Sequence, residues 1–216
     1  MKIIHFQNLN IQNPFNPNYS YYIAEDIIHF NTHFLTDVLL TKEKEIKTMY
    51  PAAKDGNTNL GDESVTSRFI HYNLLDFPET SFLKEAIRQS HDTFLRSLNI
   101  SIEEKYYVQC WFNVLRKGEK IDKHHHAEKN EDCYLGGHIC VNVNKTNTYY
   151  EDPYFKTPFV SENEPGKITL FPNWLSHYTD RVEENFNRIT IAFDIRTEKS
   201  YIHNVVPKMK KHWIQI

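Results

Sequence analysis

Cysteine is scarce in this chain, three in 216 residues (Cys110, Cys133 and Cys140). So odd and sparse a set argues against a disulfide framework and for a reducing cytoplasm. No apolar run approaches the ~18 residues a membrane helix needs, and Met1 to Asn10 lack the apolar core of a signal peptide. An excess of one charge is also missing. Lys+Arg number 25 against 28 Asp+Glu, a net charge of −3, which provides no overall field toward nucleic acid or anionic lipid. The one basic run, Lys208, Lys210, Lys211 and His212, reads as a solubilising tail. Glycine numbers only six and no internal repeat is found, which excludes a collagen-like chain. What remains is 40% hydrophobic, 14% aromatic and 25% charged, the profile of a folded globular protein.

The two halves of the chain read differently. Ile23, Ile27, Phe30, Phe34 and Val38 step by three and four, which predicts one helix. A second apolar stripe runs through Leu83, Ile87, Phe94, Leu95 and Leu98, with a Gly/Asn/Asp/Ser/Thr-rich loop from Pro51 to Ser67 between them. Lys2 to Phe6 could open with a strand. After Tyr106 the period falls to two, and strands are predicted at 106–116, 134–143, 147–151, 167–172 and 188–196. The expected class is therefore α+β, mainly β, built around a sandwich or jelly roll. The single domain 1–216 divides into a helical N-terminal segment (1–105), a β core (106–196) and a C-terminal tail (197–216).

Histidine is abundant, twelve in all, and densest at His124-His125-His126. On a strand His124 and His126 point together and His125 points away, so two imidazoles could take adjacent corners around a metal. His177, just beyond the predicted strand ending at Pro172, is the candidate third ligand. The alternative is a polar loop. His138 and His203 read as ordinary half-buried histidines. Arg188 opens the last strand, where Ile189, Ile191, Phe193 and Ile195 share one face and Arg188, Thr190, Ala192 and Asp194 the other. An arginine turned into a barrel interior requires an anion, and a dicarboxylate gripped by Arg188 and the Thr190 hydroxyl would supply it. The alternative is an arginine on the solvent face of an edge strand.

The order His-x-His, Phe171-Pro-x-Trp-Leu-x-His177, Arg188-x-Thr190 resembles the 2-oxoglutarate- and iron(II)-dependent oxygenases, closest to a branch found in bacteria and phages. Trp111-Phe-Asn113, Leu135-Gly136-Gly137 and Tyr150-Glu-Asp152-Pro153 add to the likeness, which covers roughly 106–196. It implies a double-stranded β-helix with N-terminal helices packed against it. It also implies Fe(II) held by His124, His126 and His177, and 2-oxoglutarate held at its distal carboxylate by Arg188 and Thr190. One metal position would stay open for dioxygen. The implied reaction is oxidative decarboxylation to succinate, coupled to hydroxylation of an amino-acid residue or a small metabolite. The substrate would thus be a small molecule or a peptide; the charge balance weighs against nucleic acid and nothing points to a membrane.

The chain departs from the family pattern in two places. Most relatives use His-x-Asp/Glu, so His126 removes the usual negative charge; a slip of one residue would read His125-x-Ala127 instead. Many relatives also carry a cosubstrate-contacting tyrosine where this chain has Cys140, which leaves 2-oxoglutarate resting on Arg188. A cupin is the competing resemblance, through Gly118, His124, His126 and Glu131, then Gly166, Pro172 and His177. It would add Glu131 as a fourth ligand but has no use for Arg188-x-Thr190. A non-catalytic module with a decayed site is the third alternative.

Overall fold

The computed structural model describes residues 1–8, 19–50, 60–68, 73–102, 105–126, 133–152 and 157–216. The chain is mostly β, in two antiparallel sheets. The larger is built from β1 (Lys2–Asn8), β2 (Tyr19–Ile27), β3 (Val65–Thr66), β4 (Tyr106–Leu115), β5 (Cys133–Asn142), β8 (Lys167–Pro172), β10 (Arg188–Thr197) and β11 (Ile214–Gln215). Its order is β1-β2-β8-β5-β10-β4-β11, with β3 also on β4. The smaller holds β6 (Asn147–Glu151), β7 (Phe159–Glu162) and β9 (Ser176–Thr179) in the order β7-β6-β9.

Strand alternation gives the large sheet two unlike faces. One carries Ile189, Ile191, Phe193 and Ile195 of β10 beside Val108, Cys110, Phe112 and Val114 of β4. These pack against helices α1 (Thr32–Met49) and α2 (Phe82–Ser97) through Leu35, Leu39, Ile46, Leu83, Ile87, Phe94 and Leu95. Gly137 of β5 lies on this face because nothing larger fits. A Cβ there would stand 2.3 Å from the Phe193 ring and 2.7 Å from the Thr169 carbonyl oxygen. The other face is polar and looks toward the small sheet, with Tyr150 of β6 packed on Phe171 of β8 at 5.0 Å between ring centres.

Two sequence expectations are corrected. The helix begins at Thr32, capped by the Asn31 side chain accepting from the Phe34 amide at 3.0 Å. Ile23 and Ile27 belong to β2 instead, since a step of four residues is also two strand repeats. The helix buries Leu35 and Leu39, one position along from the predicted Phe34 and Val38, and Phe34 is exposed. Nor is the basic segment a solvated tail. Residues 198–204 form helix α3, His212 and Trp213 are buried, β11 pairs with β4, and Asn73 Nδ2 donates to the His212 carbonyl at 2.6 Å. The polar residues of that segment are the exposed side of an ordered closure. Among the described residues no helix is long and apolar enough to cross a membrane.

Candidate functional site

His177 lies on β9, and the segment before β5 runs antiparallel to it. His124 N donates to His177 O at 3.1 Å and His177 N to His124 O at 2.8 Å, while His126 N donates to Asn173 O at 3.0 Å. Backbone pairing therefore sets the three rings beside one another, with centroids 4.3 Å (His124–His177), 5.2 Å (His124–His126) and 5.0 Å (His126–His177) apart. One nitrogen from each lies within 4.8 Å of the others. His125 is exposed and takes no part in the cluster.

Each ring is oriented by its other nitrogen. Nδ1 of His124 meets the Asp122 carbonyl at 2.8 Å, and Nδ1 of His177 meets the Leu175 carbonyl at 3.1 Å. Carbonyls only accept, so both rings carry their proton on Nδ1 and present Nε2 as a lone pair. His126 Nδ1 meets Asp194 Oδ1 at 2.6 Å, which selects the same tautomer. Burial tends to raise the Asp194 carboxyl, but the charges of His126 and Arg68 outweigh it, and the group is held below its ordinary range. Burial, then the neighbouring His126, pushes His124 down to about 4, and burial likewise holds His177 well below its ordinary range. His124 and His177 are thereby held neutral, and His124 Nε2 and His126 Nε2 stand 3.2 Å apart, a separation bridged by a proton in a hydrogen bond or by a metal ion. A divalent ion with a preference for imidazole fits this donor set.

The polar row of β10 continues away from the histidines. Asp194, Ala192, Thr190 and Arg188 project on the same side as Trp111 and Asn113 of β4, and His124, His126, His138, His177, Arg188 and Thr190 all line one cleft. Arg188 is 1% exposed, its Nε donates weakly to Thr146 Oγ1 at 3.4 Å, and its Nη1 has no partner among the described residues. It is not on a solvent face. The cost of so buried a guanidinium calls for an anion in the cleft.

Several residues that complete the site were not singled out in the sequence. Asp194 was placed on the polar face of β10, but nothing in the chain order links it to His126, 68 residues away. Arg68 donates to Asp194 Oδ2 at 3.0 Å and stacks over Trp111 at 4.3 Å. His138 is buried and faces the cleft, so it is not an ordinary half-buried histidine. Tyr150 is buried between the sheets, whereas Tyr149 donates to Asp180 Oδ1 at 2.7 Å. Leu60, from the predicted polar loop, and Thr66, on β3, line the cleft. Ala127, Glu131 and residues 51–59 of that loop lie outside the described residues.

Residues 127–194 match the family model described as "Putative 2OG-Fe(II) oxygenase". The matched segment opens immediately after His126 and contains His177, Arg188, Thr190 and Asp194. A comparison with curated protein sequences found no match. Among solved structures, the chain is similar to a prolyl-4-hydroxylase from Pseudomonas putida, with TM-score 0.54 and 10% identity over 81% of this chain and 91% of that one. It is similar to a prolyl hydroxylase from Trichoplax adhaerens, solved with a peptide fragment of the hypoxia inducible factor oxygen degradation domain (TM-score 0.55, 12% identity, 85% and 87% covered). HygX from Streptomyces hygroscopicus, solved with nickel and 2-oxoglutarate bound, is a third (TM-score 0.54, 10% identity, 82% and 83% covered). At such identities these likenesses concern the fold. The matched segment, 127–194, is thus similar to 2-oxoglutarate- and iron(II)-dependent oxygenases, the likeness that the motif order in the sequence also carries.

Proposed function

We propose that the chain is a hydroxylase that uses 2-oxoglutarate and Fe(II), with a peptide residue or a small metabolite as substrate. In this reading His124, His126 and His177 hold the metal, and Arg188 with Thr190 grips the distal carboxylate of 2-oxoglutarate. The facing sheets are then the two halves of a double-stranded β-helix. The single observation that carries the reading is the buried Arg188, its Nη1 unpartnered, in the same cleft as three converging imidazole nitrogens. A cupin has no need of that guanidinium. Free, buried Cys110 and Cys140 accord with a reducing cytoplasm.

Bound iron would supply dioxygen activation, coupling decarboxylation of 2-oxoglutarate to succinate with insertion of one oxygen atom into a substrate C–H bond. The residues provide the setting. His124, His126 and His177, presented from one side of the cleft, would hold the metal and leave it open to the keto acid and dioxygen. Asp194 holds His126 in its ligating tautomer and returns, one bond further out, the negative charge that the His-x-His motif lacks. Trp111, Phe171 and Ile121 wall the cleft with apolar surface that displaces water from the reacting groups. Arg188 offers a planar fork to a carboxylate, fixing the cosubstrate by its far end.

The test is anaerobic addition of 2-oxoglutarate to the Fe(II)-loaded protein. A weak visible charge-transfer band is expected, and its absence would overturn the reading. Succinate release in the presence of candidate peptides and amino acids then identifies the substrate.

A further inference from the structure

His138 occupies a place in the cleft that no sequence motif marks. On β5 it stands opposite Ala192 of β10 and Thr169 of β8, and Cys140, two residues on, stands opposite Thr190. Positions 138 and 140 therefore share the row of the sheet that faces Arg188 and Thr190. At the position of Cys140 the family resemblance implies, for many relatives, a tyrosine toward the cosubstrate. The Cys140 Sγ is instead directed at Asn163 Oδ1, 3.5 Å away, and burial pushes the thiol up to about 11, so it stays protonated. It offers the cleft little.

The His138 ring is different. It is 8% exposed and lines the cleft, and its Nε2 is buried with no partner among the described residues. Its Nδ1 lies 3.2 Å from the hydroxyl of Tyr150. Tyr150 is fully buried and its phenol is held well above its ordinary range, chiefly by burial, so it keeps its proton and can donate to Nδ1. With Nδ1 accepting, the ring proton belongs on Nε2, which then enters the cleft as an N–H donor. Burial, then the nearby Arg188 charge, pushes His138 down to about 3, so this donor is neutral. It is not among the three rings whose nitrogens cluster. Among the described residues the cleft thus holds two buried nitrogens lacking acceptors, Arg188 Nη1 and His138 Nε2. Buried donors are rarely left in that state without a ligand to satisfy them.

We propose that His138 is a cosubstrate-binding residue, donating from Nε2 to the carboxylate that Arg188 holds and replacing the tyrosine absent at Cys140. Tyr150 is its positioning residue, setting the tautomer. Small Ala192 opposite leaves the ring's edge free to reach the ligand. The inference rests on the proposed use of 2-oxoglutarate.

The experiment is anaerobic calorimetric titration of the Zn(II)-loaded protein with 2-oxoglutarate, which reads binding without turnover. His138→Leu should raise the dissociation constant about 10-fold to 100-fold, the worth of one hydrogen bond to a charged group. Metal stoichiometry should be unchanged. His138→Gln, which keeps an N–H near the Nε2 position, should recover most of the affinity. Unaltered binding by His138→Leu overturns the proposal, as does equal weakening in both variants, which would indicate packing and not donation. If the wild-type protein itself binds no 2-oxoglutarate, the proposed function fails first, and Arg188→Met serves as the reference for lost binding. A measurement without substitution guards against misfolded variants. In ¹⁵N-histidine-labelled wild-type protein, saturating 2-oxoglutarate should shift the His138 Nε2 resonance, and an unmoved resonance overturns the proposal.

Discussion

Asp194 Oδ1 accepts a hydrogen bond from His126 Nδ1 at 2.6 Å, with both side chains buried, while Asp194 Oδ2 takes Arg68 Nη2 at 3.0 Å. A buried carboxylate thus stands behind the His126 imidazole. The three proposed histidine ligands include no carboxylate, and Asp194 supplies negative charge beside them. Asp194→Asn should keep the geometry and lose that charge. Its metal affinity should fall about 10-fold to 100-fold, read by chelator competition, with the circular dichroism spectrum unchanged. Wild-type affinity in the variant would count against the pairing having this role.

Neighbouring histidines should behave in opposite ways. His177→Ala removes one of three converging nitrogens and should abolish stoichiometric Fe(II) binding, whereas His125→Ala, on an exposed ring, should leave it intact. Glu131→Ala should also retain iron. Loss of iron in that variant would favour the four-ligand cupin arrangement. Metal content after gel filtration decides all three.

The metal-free protein should lose stability in mild acid. His124 is held at about 4 and His138 at about 3, against an ordinary value of 6.5. The folded chain therefore binds fewer protons than the unfolded chain below about pH 6.5, and the slope of stability with pH is positive there. The full contribution is present above pH 6.5 and is lost as pH falls toward 4. Melting temperatures across that window should decline. A flat profile would refute the buried, neutral state of these rings.

Arg188→Met should separate binding from stability. The substitution removes a buried guanidinium whose Nη1 has no partner and keeps much of its volume. Ligand-free stability should be unchanged or raised by up to about 2 kcal/mol, measured by urea unfolding, while 2-oxoglutarate binding disappears. A marked loss of stability would show that the arginine is structurally satisfied.

Gly137→Ala tests the close approach of β5 to Phe193. The added Cβ would stand 2.3 Å from the ring and 2.7 Å from a backbone oxygen, so one or both must move. A loss of about 1–3 kcal/mol is expected, from the same unfolding measurement.

Alternation along β10 already separates Ile189, Ile191, Phe193 and Ile195 from Arg188, Thr190, Ala192 and Asp194, and the apolar set is the one packed against the helices. Such local patterns are legible because side-chain direction repeats every two residues, whatever the strand pairs with. The spacing of four from Ile23 to Ile27 misleads for the same reason, since strand and helix both satisfy it. Motif order also carried the likeness to iron and 2-oxoglutarate enzymes. Convergence was a different matter. That His126 meets Asp194, that His138 stands opposite Ala192, and that residues 198–216 close onto β4 all depend on strand register and sheet order. Those are set by long-range pairing energies summed over the whole sheet, and no local stretch of the chain encodes which distant residue will face it.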